Sequence, residues 1–234
     1  MPLAFTQLAA ASATTNNLSS YAGNAGTPVA DNLLICFVVS SGNTNGTLTG
    51  GGFTWTRLTS ITKNAGVDTI YVFWAYAATA TSTTPTFATI GGNATGCCIH
   101  CIRITGADGQ RQPYIRQSKT NTGTTANPSV VFDNNPLTGN GILCFIANGS
   151  NSTAQFTVPT GFGQIGAMAY NTPPNGAQTS SRATGQTTPT LTWTNANTTS
   201  WSVIAIELYE AGTGIIEPWN TGSGTGFFGG SDGI

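Results

Sequence analysis

Charge is what this sequence has least of. Charged residues make up 6% of its 234 positions, where about 25% is usual for a globular domain. Seven basic residues against eight acidic ones leave a net charge of −1. Nucleic acid, anionic membrane and acidic polymers are held largely through basic patches, and the chain has too little charge to build one. Histidine occurs once, so any triad or histidine metal site must use His100. Helical periodicity is nearly absent. No run approaches the roughly 18 apolar residues of a membrane span. The start, MPLAFTQLAAASATT, has neither a basic n-region nor a long apolar stretch, so no secretory leader is expected.

Few charges with few apolar residues would signal disorder, but 39% of the chain is hydrophobic and a core can form. Thr, Asn, Ser and Gly must then cover the surface. A soluble monomer so short of charge is colloidally poor. Either neighbouring molecules bury much of that surface, or Asn and Thr alone keep a free domain in solution.

Short apolar or alternating runs separated by Gly, Pro, Asn and Ser predict many short strands and turns. The clearest are LLICFVV (33–39), TIYVFWAYA (69–77), CCIHCIRIT (97–105), ILCFIA (142–147) and SWSVIAIELY (200–209). A sandwich or barrel follows. The chain also repeats itself. LLICFVVSSGN (33–43) aligns with GILCFIANGSN (141–151), pairing Cys36 with Cys144 and Phe37 with Phe145. TPTFAT (84–89) aligns with TPTLTW (188–193), and the strand at 97 falls on the strand at 201, setting Cys101 on Ala205 and Arg103 on Glu207. Two related halves, about 1–108 and 109–212, are expected to form one β-sandwich. Each half could be its own small sandwich, or the two could interleave into one two-sheet, jelly-roll-like body. The short connection between them favours the second.

GCCIHCIRIT (96–105) gathers three of the five cysteines and the histidine. On a strand, Cys97, Ile99, Cys101 and Arg103 share one face, and Cys98, His100 and Ile102 share the other. Cys97 and Cys101 then stand roughly 13 Å apart, too far to share a zinc ion with bonds near 2.3 Å. The repeat partner WSVIAIELY keeps the apolar pattern without thiols or imidazole. A core strand with reduced thiols is therefore expected, and neither a metal nor any other cofactor is.

No GxSxG elbow occurs. GGG (50–52) and TGSGTGFFGG (221–230) lack the Lys-Ser/Thr of a phosphate loop. Glu207, inside a strand, is the best lone candidate for an acid catalyst, with a structural Arg103–Glu207 pair as the preferred reading. Trp55, Trp74, Trp193 and Trp201 lie in predicted strands and are read as packing, although exposed rings could stack on sugars.

Residues 213–234 change character. They are Gly-rich and carry Ile215, Ile216, Trp219, Phe227 and Phe228. Disordered segments are usually short of aromatics, so these five are expected to anchor an extended C-terminal arm on a partner.

The succession SSGN, GFTW, YVFWAYAATATSTTPTFAT and TGAD, followed by YNTPPNG, TPTLTWTN and SWSVIAIELYEAG, resembles β-sandwich structural proteins of bacteriophage virions. The resemblance covers most of 30–212. It implies a non-enzymatic virion component, made in the host cytoplasm. Capsid decoration or cement comes first. A tail or fibre component, or a carbohydrate-binding host-attachment module, is the alternative. The implied partners are copies of itself, a trimer by preference, and other virion proteins such as the major capsid protein. Nucleic acid and membrane are not expected; a glycan is possible.

Overall fold

The computed structural model describes residues 2–42, 45–63, 68–107, 114–149, 156–171, 174–195 and 200–211. Those residues are all-β. The first half contributes β1 (Ala4–Gln7), β2 (Ser12–Thr14), β3 (Ser20–Ala22), β4 (Asn32–Ser41), β5 (Gly46–Thr49), β6 (Thr56–Thr62), β7 (Asp68–Ala77), β8 (Thr86–Thr89) and β9 (Gly96–Thr105). The second contributes β10 (Ile115–Gly123), β11 (Ser129–Val131), β12 (Gly141–Asn148), β13 (Phe156–Thr157), β14 (Gly163–Asn171), β15 (Pro174–Arg182), β16 (Thr190–Thr192), β17 (Thr194–Asn195) and β18 (Trp201–Leu208).

Each half builds one large antiparallel sheet. The strand orders are β1-β9-β4-β7-β6, with β2 also on β9, and β10-β18-β12-β15-β14. Position for position the two orders are the same. Each large sheet carries a small one on its outer face: β3-β8-β5 in the first half, the ladders β11-β16 and β13-β17 in the second. Within a half the chain mostly alternates between large sheet and small; β1–β2, β6–β7 and β14–β15 stay on the large sheet, and β16–β17 stay on the small ladders. That is the jelly-roll way of covering a sheet.

The inner faces of the two large sheets meet in a central core. Leu33, Ile35, Phe37 and Val39 of β4 and Ile102 and Ile104 of β9 pack against Leu143 and Phe145 of β12 and Ile204, Ile206 and Leu208 of β18. Outer cores lie on either side. Cys36, Val38, Tyr71, Phe73 and Phe87 fill the first, and Ile142, Cys144, Ile146, Trp193 and Val203 fill the second. Strands β4, β12 and β18 are thus buried on both faces. This is why LLICFVV and ILCFIA read as continuous apolar runs rather than alternating ones.

The all-β antiparallel sandwich agrees with the expectation, but it is not one two-sheet body and the halves do not interleave: each half has a large sheet, smaller sheet pairing and an outer core of its own. Every ladder pairs strands of one half only. An isolated bridge between Ala107 and Glu210 crosses from one half to the other. Among the described strands each large sheet pairs within its own half and leaves one apolar face open, and the two faces cover each other.

Candidate functional site

Strand β9 carries the thiols and the imidazole, and its alternation splits them between two cores. Cys98 joins the central core, while Cys97, Ile99 and Cys101 enter the outer core of the first half. Register sets Cys36 of β4 directly opposite Cys101. The two are disulfide-bonded, with Cα atoms 4.1 Å apart. That corrects the expectation of five reduced thiols: two cysteines 65 residues apart become neighbours only through strand register. Cys97, Cys98 and Cys144 are free and buried. Burial pushes all three thiols well up, leaving them protonated. A protonated thiol is a poor nucleophile and a poor metal ligand.

His100 is 1% exposed and points across the seam between the halves. Its Nδ1 lies 2.9 Å from Thr179 Oγ1 on β15. Burial pushes its pKa down to about 4, so the ring is neutral at pH 7. Gly166 admits it, because a Cβ there would stand 2.7 Å from the ring's Cε1. Among the described residues, no group of three or more His, Cys, Asp or Glu side chains is arranged to hold a metal ion.

Glu207 is fully buried on β18, and its partner is Arg116, not Arg103. A β-bulge in β10 between Ile115 and Gln117 turns two neighbouring side chains toward one carboxylate. Arg116 Nη1 donates to Glu207 Oε2 at 2.8 Å and Gln117 Nε2 donates to the same oxygen at 2.5 Å. The Leu137 N–H and Asn140 Nδ2 donate to Oε1 at 2.8 and 2.7 Å. Four donors saturate the group and clamp the 134–140 loop to the sheet. The Arg103–Glu207 pair is excluded by topology. Arg103 shares the outer face of the first sheet with Cys101, and Glu207 shares the outer face of the second with Ala205, so they point away from each other. Arg103 Nε donates to Thr6 Oγ1 instead, at 3.2 Å.

A second polar cluster ties the halves at one end of the seam. Ser41 on β4 hydrogen-bonds both Asp68 on β7 and Tyr170 on β14. Lys63 pairs with Asp68, each 6% exposed. Gly96 makes room for Tyr170, since a Cβ there would stand 2.5 Å from the ring.

Trp193 and Trp201 are core residues, at 0% and 3% exposure, and Trp55 half-buries against the first outer core. Trp74 packs half-buried against the central core, as expected, and also faces a groove. With Phe53 and Tyr76 it lines an open groove of about 510 Å³, rimmed by Thr54, Thr56 and Thr79. Among the described residues no charged side chain lines it. Trp74 and Tyr76 continue the face of Ile70 and Val72 along β7, but Tyr76 is 37% exposed. Tyr114 stacks on Tyr76 at 6.1 Å and stands edge-on to Trp74 at 6.2 Å. Tyr76 also donates to Asp31 at 2.9 Å. Sequence alone gives no sign of where the second sheet stops covering β7, so the groove was not legible there. Another groove, of about 410 Å³, is lined by Arg182 and several threonines. The Arg182 guanidinium donates to Thr184 O, Gln186 Oε1 and Gly185 O.

The expected anchors Ile215, Ile216, Trp219, Phe227 and Phe228 lie outside the described residues.

No family model matches the chain, and no curated protein does. Among solved structures, the X-ray structure of Melon necrotic spot virus aligns over 90% of this chain and 97% of that one, at 11% identity and a TM-score of 0.26. A likeness of that size carries no argument about function.

Proposed function

We propose that this chain is a non-enzymatic structural protein of a tailed-phage virion, with capsid decoration or cement as its place ahead of a tail or fibre component. The observation that carries the reading is where the few charges go. Lys63 and Asp68 neutralise each other in the interior. Glu207 is buried on Arg116. With so few charges in the whole chain, holding three of them inside and a fourth, Arg116, half-buried leaves an exterior of Thr, Asn, Ser and Gly that suits burial against neighbouring copies. The work such a protein does is passive. A rigid four-layer body sits on a lattice, and binding that favours the folded form raises stability by mass action. A closed homo-oligomer is the usual form of such a unit, and a trimer fits a capsid lattice.

Sedimentation of the purified full chain across a wide concentration range tests this. A discrete oligomer forming at rising concentration is the expected result. A chain that stays single at high concentration and releases reducing ends from a host polysaccharide overturns it.

A further inference from the structure

We propose that the Phe53–Trp74–Tyr76 groove is the seat for aromatic side chains of the chain's own 212–234 segment. The inference rests on the reading of that segment as an assembly arm.

Three observations converge on this occupant. The first is chemistry. The groove offers ring faces with a neutral hydroxyl rim, and among the described residues its lining carries no charge; Asp31 reaches it only through the Tyr76 hydroxyl. The segment supplies Trp219, Phe227 and Phe228 among glycines, with Glu217 and Asp232 as its charged residues. A cavity of about 150 Å³ holds a benzene ring, and this groove, at about 510 Å³, has room for more than one ring.

The second is where the described chain ends. The Tyr209 N–H donates to Tyr114 O at 3.0 Å, and the Ala211 N–H donates to Gly106 O at 2.8 Å. Tyr114 is the residue stacked on Tyr76. Register aligns Tyr76 with Leu33 and Leu33 with Ile104, so Tyr76 lies two strand spacings, about 10 Å, from Ile104. Gly106 follows Ile104 by two residues. The chain therefore leaves the sandwich beside the groove.

The third is reach. Trp219 is eight residues past Ala211, a span of up to about 28 Å when extended. Both the groove of the same molecule and that of an adjoining copy fall within this range. A tether this short gives an effective concentration in the millimolar range.

The test places p-benzoylphenylalanine at Trp219, and separately at Phe227, in the full chain. After irradiation, crosslinks are mapped by mass spectrometry. Mixing isotopically heavy and light copies separates links within a molecule from links between molecules. Crosslinks should concentrate on peptides containing Phe53 and Trp74–Thr79. They should fall about tenfold in Tyr76→Ser and Phe53→Ser, the loss expected of one anchoring ring, with circular dichroism unchanged. Crosslinks scattered elsewhere from both labels, on a folded chain, overturn the inference. So does maltohexaose that quenches Trp fluorescence through Tyr76 equally well with and without the arm's aromatics, which would make the groove a sugar site. Groove links confined to single molecules that sediment as monomers leave this inference standing and remove the assembly reading. Oligomers that form without groove links do the reverse.

Discussion

Phe37 of β4 and Phe145 of β12 stack face to face across the seam, with ring centroids 4.5 Å apart and planes 18° from parallel. They are also each other's counterparts in the two halves of the sequence. The contact sets these two matched positions face to face across the seam between the large sheets. Both are fully buried. Phe145→Ala should therefore destabilise the whole body by about 3–5 kcal/mol, the usual cost of emptying an aromatic core site. Phe37→Ala should cost a similar amount. The double variant should cost less than the sum by about 0.5–1.5 kcal/mol, the stacking energy. Urea unfolding of the four proteins measures this. Strict additivity would show that the rings do not interact.

The symmetry breaks one layer out, at the disulfide. Cys36 faces Cys101 in the first half, while its counterpart Cys144 faces Ala205 in the same register in the second. Ala205→Cys should therefore permit a second cross-strand bond. Thiol titration of the unfolded, unreduced protein should fall from three free thiols to two. Reducing the native bond opens a 65-residue loop, and the chain-entropy model puts that loss at about 4 kcal/mol. A titration that finds five thiols in protein purified without reductant would remove both expectations.

Glu207 is a structural clamp, and its removal should register as lost stability. Glu207→Gln discharges a fully buried acceptor and forces an amide N–H against at least one of its four donors. The expected loss is about 2–4 kcal/mol. Hydrogen exchange should rise first in the 134–140 loop, which two of the four bonds hold. A variant as stable as the parent would reopen the reading of Glu207 as a reactive acid.

Much of this fold could be read from pattern. The twice-buried strands announced themselves as apolar runs, because burial on both faces abolishes alternation. The short strands β1, β2, β3, β5 and β13 did not, since two to four residues carry barely one period and are fixed by the ladders they join. Contacts that depend on register stayed hidden for the same reason. Nothing in LLICFVV and CCIHCIRIT says that Cys36 meets Cys101 rather than Cys97. The bulge that brings Arg116 to Glu207 shifts the register by one residue in a strand of ordinary composition. Arg103 was the natural guess from the repeat, and it is wrong because the halves join face to face.

His100 makes the seam sensitive to acid. Its pKa is pushed down from 6.5 to about 4 by burial in the folded chain and returns to about 6.5 on unfolding. Between those values the unfolded state binds more protons, so stability rises with pH through this window. It is complete above about pH 6.5 and falls progressively as pH drops toward 4. The total available from this one group is about 3 kcal/mol. Carboxylates titrate in the lower part of the same range, so a comparison isolates the imidazole. In His100→Gln the amide can keep a hydrogen bond to Thr179 without gaining charge, and its urea midpoint should change less between pH 7 and pH 4.5 than the parent's. Equal pH dependence in the two proteins would show that the ring is solvated in the folded state, and that the halves do not close over it.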